Sequence, residues 1–130
     1  MKESVVVAVR YENKALIVHK PKTAPDSLAD QWHLPGGGKH PGESTMDVGV
    51  RETLEETGAH IHVTKQLYSN TTKKGTHVHW VAGEIVSSID ELVAGDDVDS
   101  VELIDIHKLP TRCAQAYKQW PTSVKNYFSE

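Results

Sequence analysis

The 130-residue chain holds a single cysteine, Cys113, so no internal disulfide can staple it and a reducing compartment is expected. With no reactive motif around it, Cys113 reads as an ordinary half-buried side chain. No apolar run comes near the roughly 20 residues that span a bilayer. Residues 1–10 lack a basic leader and a cleavage site, and their apolar stretch, 5–9, is too short for a secretory signal and is β-branched in character. The expected location is the cytoplasm, without membrane attachment. Lys and Arg form no cluster beyond Lys73-Lys74 and Lys20 with Lys22, and the formal net charge is −4, which argues against a basic surface for nucleic acid. Internal repeats and low-complexity segments are absent too.

What remains suits one domain over residues 1–130, long enough to bury a single core, with 38% hydrophobic and 25% charged residues. Runs 5–9 and 15–19 read as strands joined through Glu12-Asn13-Lys14 as a hairpin. Residues 21–30, with two prolines, form a loop before a short strand at 31–33. Further strands are expected at 61–68, 78–87 and 101–106, with a polar turn over 69–76. A C-terminal helix including 123–128 has Pro121 near its start and can cover the sheet with Trp120, Val124, Tyr127 and Phe128. Strands interrupted by one central and one terminal helix predict an α/β fold, a mixed sheet with flanking helices.

The central helix is marked at both ends. Ser44 and Asp47 fit a capping signature and Gly58 supplies a left-handed end, which predicts a helix over about residues 45–57. Helical periodicity then sets Met46, Val50, Thr53, Leu54 and Thr57 on one stripe, expected to face the core, with Glu52, Glu55 and Glu56 opposite. Those glutamates are spaced i, i+3 and i+4, roughly 5–6 Å apart at Cβ, and repel one another. A cation is expected to relieve them. Carboxylates are hard ligands suited to Mg²⁺ or Mn²⁺. Three glycines, Gly36-Gly37-Gly38, allow the backbone to approach a ligand closely or simply to turn.

Gly37, Glu43, Arg51, Glu52, Glu55, Glu56 and Gly58 stand at the spacings of the Nudix box, a Gly, five residues, Glu, seven residues, then Arg-Glu-U-x-Glu-Glu-x-Gly-U with U a bulky aliphatic. The chain therefore resembles a Nudix hydrolase. Thr53 and Ala59 depart from the pattern at U positions, which touches packing rather than chemistry. The resemblance implies the Nudix α/β/α sandwich and hydrolysis of a diphosphate linkage in a nucleoside diphosphate derivative with Mg²⁺ or Mn²⁺. It implies metal ligands at Glu55, Glu56 and the backbone carbonyl of Gly36, with Glu52 a ligand or general base. Glu43 and Arg51 become supporting residues, Arg51 orienting a carboxylate through charge-assisted hydrogen bonds. Mutator-type relatives carry a further ligand carboxylate downstream, and Asp97 is the nearest match, in a stretch that otherwise reads as a solvated acidic loop.

Substrate choice lies outside the box. Trp32, His33 and His79, with His77 and Trp80, are candidates to meet a nucleobase, although the tryptophans serve equally as packing residues. His77 and His79 share a strand face and could meet zinc, but no third His or Cys stands near, and lining a surface or pocket is the preferred reading. Lys20, Lys22, Lys39 and Arg10 are candidate phosphate contacts. A proline or tyrosine about fifteen positions past the box marks ADP-ribose or diadenosine polyphosphate hydrolases, and here Thr72-Lys73-Lys74-Gly75-Thr76 stands instead. The coenzyme A hydrolase motif is missing as well. By exclusion, the resemblance implies a mutator-type enzyme that converts a (deoxy)nucleoside triphosphate to monophosphate and pyrophosphate. The alternatives are an ADP-ribose or nucleotide-sugar pyrophosphatase, or a non-catalytic domain that senses a nucleotide. A small nucleotide is the expected partner, and a homodimer is an open arrangement.

Overall fold

The β-branched runs become the centre of a single mixed sheet in the computed structural model, which describes residues 2–25 and 27–130. Strand β1 (Glu3–Tyr11) turns into β2 (Lys14–His19) through two residues, with Glu12 at φ 55°. The two strands pair only at Arg10↔Ala15 and Tyr11↔Lys14, and β2 then leaves. The vacated edge of β1 is taken by β4 (Gly36–Gly38), antiparallel at Ser4, Val5 and Val6, so the backbone groups of β1 find partners along its length. Its other edge pairs in parallel with β6 (His77–Ile85), which pairs antiparallel with the outer strand β5 (Ile61–Thr71). Around β2 lie β3 (Trp32–His33) and β7 (Ser100–Asp105).

Alternation along β1 makes two cores. Val5, Val7 and Val9 are fully buried with Val48, Val63 and Val81 beneath helix α1 (Thr45–Thr57), each such valine worth roughly 1.5–3 kcal/mol. Ala8 and Val6 face the other way, toward α2 (Leu109–Arg112), α3 (Ala114–Gln119) and α4 (Thr122–Ser129), where Trp120, Val124, Tyr127 and Phe128 close the second core as expected. Helices on both faces give the α/β/α layering. Residues 109–119 carried no helix expectation, and the triple glycine, read as a turn or close-approach loop, is an added strand. Cys113 is 1% exposed rather than half-buried, and burial pushes its thiol up to about 12, which makes it inert. Among the described residues no helix is long and apolar enough to cross a membrane.

Helix α1 begins and ends at the expected residues. Ser44 Oγ accepts from the Asp47 N–H at 3.1 Å, Asp47 returns the bond to Ser44 N–H at 3.2 Å, and Gly58 takes φ 77°. Its buried flank, however, differs from the expected stripe. Val48, Gly49, Thr53, Glu56 and Thr57 are buried, while Met46, Val50 and Leu54 are exposed. The helix is rotated so that Gly49 faces the sheet, where a Cβ would make ordinary contacts at 3.4–3.5 Å with Val63, Val7 and Val81. That turn carries Glu56 inward, away from solvent.

Candidate active site

Arg51 is the hub of the box. Its Nε and Nη2 donate to the two oxygens of Glu43 at 2.7 and 2.9 Å, and Nη2 also reaches the carbonyl of Gly38 at 2.9 Å. Nη1 donates to Glu52 Oε1 at 2.8 Å and, more weakly, to Glu55 at 3.3 Å. The expected supporting role of Arg51 and Glu43 therefore has a geometry: a fork that ties the glycine strand, the loop and two helix glutamates together. Hydrogen bonds from Arg51 and then from the His40 N–H hold Glu43 down at about 2. The repulsion expected among the three glutamates is thus relieved at Glu52 and Glu55 by Arg51, and a cation is not the sole remedy.

Glu56 lies beyond that fork. It is 3% exposed, and its Oε1 accepts a hydrogen bond from the Gly36 N–H at 3.0 Å. Burial pushes its carboxyl up to about 7, Gly36 and the Lys20 charge oppose the rise, and Glu52 and Asp97 add to it. Glu52 is raised for the same first reason, burial, against the pull of Arg51. A Cβ on Gly37 would stand 2.3 Å from the Glu52 carboxyl carbon, so glycine there makes the room the carboxylate occupies. Gly36, whose carbonyl is the expected ligand, also touches the box through its N–H.

Asp97 arrives by a separate route. The last carbonyls of a helix lack intrahelical donors, and here Val93, Gly95 and Asp96 N–H groups bond those of Thr57, Glu56 and Glu55 at 2.9, 3.0 and 3.1 Å. This stitch pins the loop to the end of α1, and Asp97, at φ 64°, is close enough to Glu56 to raise its pKa. Asp97 and Lys20 also line a cleft of about 270 Å³ with Pro21, Thr23, Ala24 and Pro25. The stitch has no local sequence signal.

The three base-binding candidates are not brought together. Trp32 is covered on one face by the Arg112 guanidinium, 4.8 Å from the ring, and touches His19 at 5.2 Å. His33 is 8% exposed, meets the Leu34 carbonyl at 3.0 Å and the edge of Trp120. His79 stands across the sheet, pairing with Glu3 at 3.1 Å and packing on His77 at 4.5 Å. Trp80 ties its indole N–H to Asn70 Oδ1 at 3.1 Å and packs on the second core.

The donor set fits a hard divalent cation. Among the described residues no three carboxylate, imidazole or thiol groups form a closed cage. Mg²⁺ needs none, since it takes one or two carboxylates and completes its shell with water and phosphate oxygens. Glu52, Glu55 and Glu56, two of them with raised pKa, are the carboxylates that could provide such ligands.

The α/β/α layers, the glycine strand and the glutamate helix stitched to a returning loop define the Nudix architecture. The model of the NUDIX domain matches residues 1–124, and the chain belongs to that family. A Bacillus subtilis (strain 168) protein named "Putative 8-oxo-dGTP diphosphatase" is 41% identical over 56 residues, a match that covers 43% of this chain and 34%, about a third, of that protein. The crystal structure of a NUDIX hydrolase from Nitrosomonas europaea superposes with a TM-score of 0.81 at 21% identity, over 99% of this chain and 70% of the other. An ADP-ribose pyrophosphatase from Streptococcus suis 89-1591 gives 0.72 at 17% identity, over 97% and 91%. At these identities the structures attest the fold.

Proposed function

We propose that the chain is a pyrophosphohydrolase that cleaves a diphosphate linkage in a nucleoside diphosphate derivative with Mg²⁺ or Mn²⁺, acting on a (deoxy)nucleoside triphosphate to give the monophosphate and pyrophosphate. The observation that carries this reading is Glu56: a buried carboxyl beside Glu52 and Asp97, outside the reach of Arg51, which a cation and an anionic phosphate would satisfy together. The triphosphate is favoured by the name of the 41% identical relative and by the missing subfamily markers.

In this reading Glu56 and Glu55 hold the cation, with Glu52 or Asp97 available to it. Held there, a divalent cation would neutralise the diphosphate and lower the pKa of a water. The residues do the rest. Arg51 fixes Glu52 through Oε1, and the carboxylate so oriented accepts the proton of the attacking water. Glu43 holds Arg51 in place, and the Gly36 N–H fixes the rotamer of Glu56. Lys20, at the cleft it shares with Asp97, is placed to meet phosphate oxygens. All four box glutamates are intact, which argues against a non-catalytic nucleotide sensor.

The test is product analysis over nucleoside triphosphates, ADP-ribose and nucleotide sugars, with Mg²⁺ and with chelator. Pyrophosphate and a monophosphate from at least one triphosphate are expected. ADP-ribose or a nucleotide sugar turned over a hundredfold more efficiently than every triphosphate would replace this substrate assignment.

A further inference from the structure

Among the described residues three non-glycine backbones take positive φ, and one of them, Glu12, belongs to the tight β1–β2 turn. The other two, Asp30 at 60° and Asp97 at 64°, lie in the two loops that half-buried His19 joins. His19 Nδ1 stands 2.7 Å from Asp99 Oδ1 and Nε2 3.3 Å from Asp30 Oδ1, while the His19 carbonyl accepts the Asp99 N–H at 3.0 Å. The ring also packs on Trp32, centroids 5.2 Å apart. A non-glycine residue keeps such a backbone only where its surroundings hold it there. Each loop is held twice. The loop that carries Asp97 is bound in front to the last carbonyls of α1, through the Val93, Gly95 and Asp96 N–H groups, and behind to His19. The loop that leaves β2 closes through Lys20 N–H to the Gln31 carbonyl and Asp30 N–H to the Lys20 carbonyl, both at 3.0 Å, and His19 takes the Asp30 carboxylate as well.

We propose that His19 is a positioning residue for the cation site: by bonding Asp99 and Asp30 at once, it fastens the loop that carries Asp97 to the loop that begins at Lys20. The inference rests on the reading that the α1 glutamates and Asp97 hold a divalent cation. The shorter of the two bonds, to Asp99, lies two residues from the carboxylate it positions, and the residue between, Val98, is buried. With that bond cut, Asp97 keeps the stitch to α1 on one side and only a backbone contact on the other, so its carboxylate is no longer fixed beside Glu56. The Asp30 bond acts on the opposite wall, where Lys20 and Asp97 line the same cleft. His19 works through these neighbours and is no ligand itself, because both ring nitrogens are turned to carboxylates. This is the role that outer partners of a metal ligand play: they set its orientation and so the affinity for the ion.

The test is Mn²⁺ binding to the substrate-free protein, with the unbound ion counted by electron paramagnetic resonance. His19→Ala should weaken binding about 10-fold, the order expected when an outer partner of a ligand is lost, with an unchanged circular dichroism spectrum. Asp99→Ala cuts the same bond from its exposed end and should give the same loss, so the proposal stays testable if His19→Ala folds poorly. In an Asp97→Asn background His19→Ala should cost nothing further, because the two changes remove one interaction. Lys14→Ala removes the ion pair at the far end of the same β2–β7 pairing and should leave Mn²⁺ affinity unchanged. A wild type that binds no Mn²⁺ overturns the metal reading and the proposal with it. A wild type that binds overturns the proposal alone in any of three cases: His19→Ala and Asp99→Ala bind as tightly, the loss in His19→Ala adds to that in Asp97→Asn, or Lys14→Ala is weakened equally.

Discussion

Arg51 and Glu43 form a two-pronged pair, 2.7 and 2.9 Å, across the seven residues that separate them, from the loop before α1 to its middle. The loop therefore cannot shift without moving the guanidinium that also fixes Glu52. Glu43→Gln keeps the shape and removes the charge. We expect turnover to fall about 10- to 100-fold, the usual cost of losing a residue that orients a ligand, with the fold retained by circular dichroism.

The same pair sets an acid limit on stability. A carboxyl held down at about 2 contributes stability that is present above its ordinary value of 4.5 and lost as pH falls through about 2. Melting temperatures measured from pH 5 to pH 2 should drop more steeply for the wild type than for Glu43→Gln. Parallel curves would mean that the pair does not couple to folding.

Glu56 carries the opposite sign. Its carboxyl is raised from 4.5 to about 7, so in chelator the folded state favours the proton: the stabilisation is full below 4.5 and is lost as pH rises through 7. On the order of 2 kcal/mol should disappear between pH 4.5 and 7.5. Glu56→Gln should flatten that descent, and millimolar Mg²⁺ should restore stability to the wild type at pH 7.5 by binding only the folded form. A chelated wild type equally stable at both pH values would contradict the burial argument.

Thr53 occupies a box position where the family pattern has a bulky aliphatic, and it is fully buried with its hydroxyl lacking a hydrogen-bond partner. Thr53→Val removes that hydroxyl at almost constant shape. Stability should rise by about 1 kcal/mol, a few degrees in melting temperature. A fall on thermal denaturation would show that the hydroxyl is satisfied in solution.

Gly95 has no room for a side chain, since a Cβ would fall 1.8 Å from the Glu55 carbonyl oxygen. Gly95→Ala should break the stitch that brings Asp97 to Glu56 and cost about 1–3 kcal/mol as overpacking. Urea melts read the loss. Unchanged stability would place the loop away from the helix end.

The box, the bounds of α1 and the β1–β2 hairpin are legible in the sequence because each rests on local chemistry: a capping serine, a left-handed glycine, a β-branched run. Which flank of α1 is buried is not. Periodicity points Met46, Val50 and Leu54 inward, but it is Val48 and Gly49 that turn to the sheet, a choice made by tertiary packing. Asp97 reaches the site through backbone bonds to the end of α1, and α2 and α3 are held by tertiary contacts, none of which a local pattern records.

The central claim is that the α1 glutamates form a catalytic metal site, and Glu56→Gln tests it most directly. Steady-state turnover of the best triphosphate in saturating Mg²⁺ should fall at least a hundredfold, because the variant removes a ligand charge used in the transition state, while the melting temperature in chelator stays equal or rises. Turnover within tenfold of the wild type would contradict the assignment.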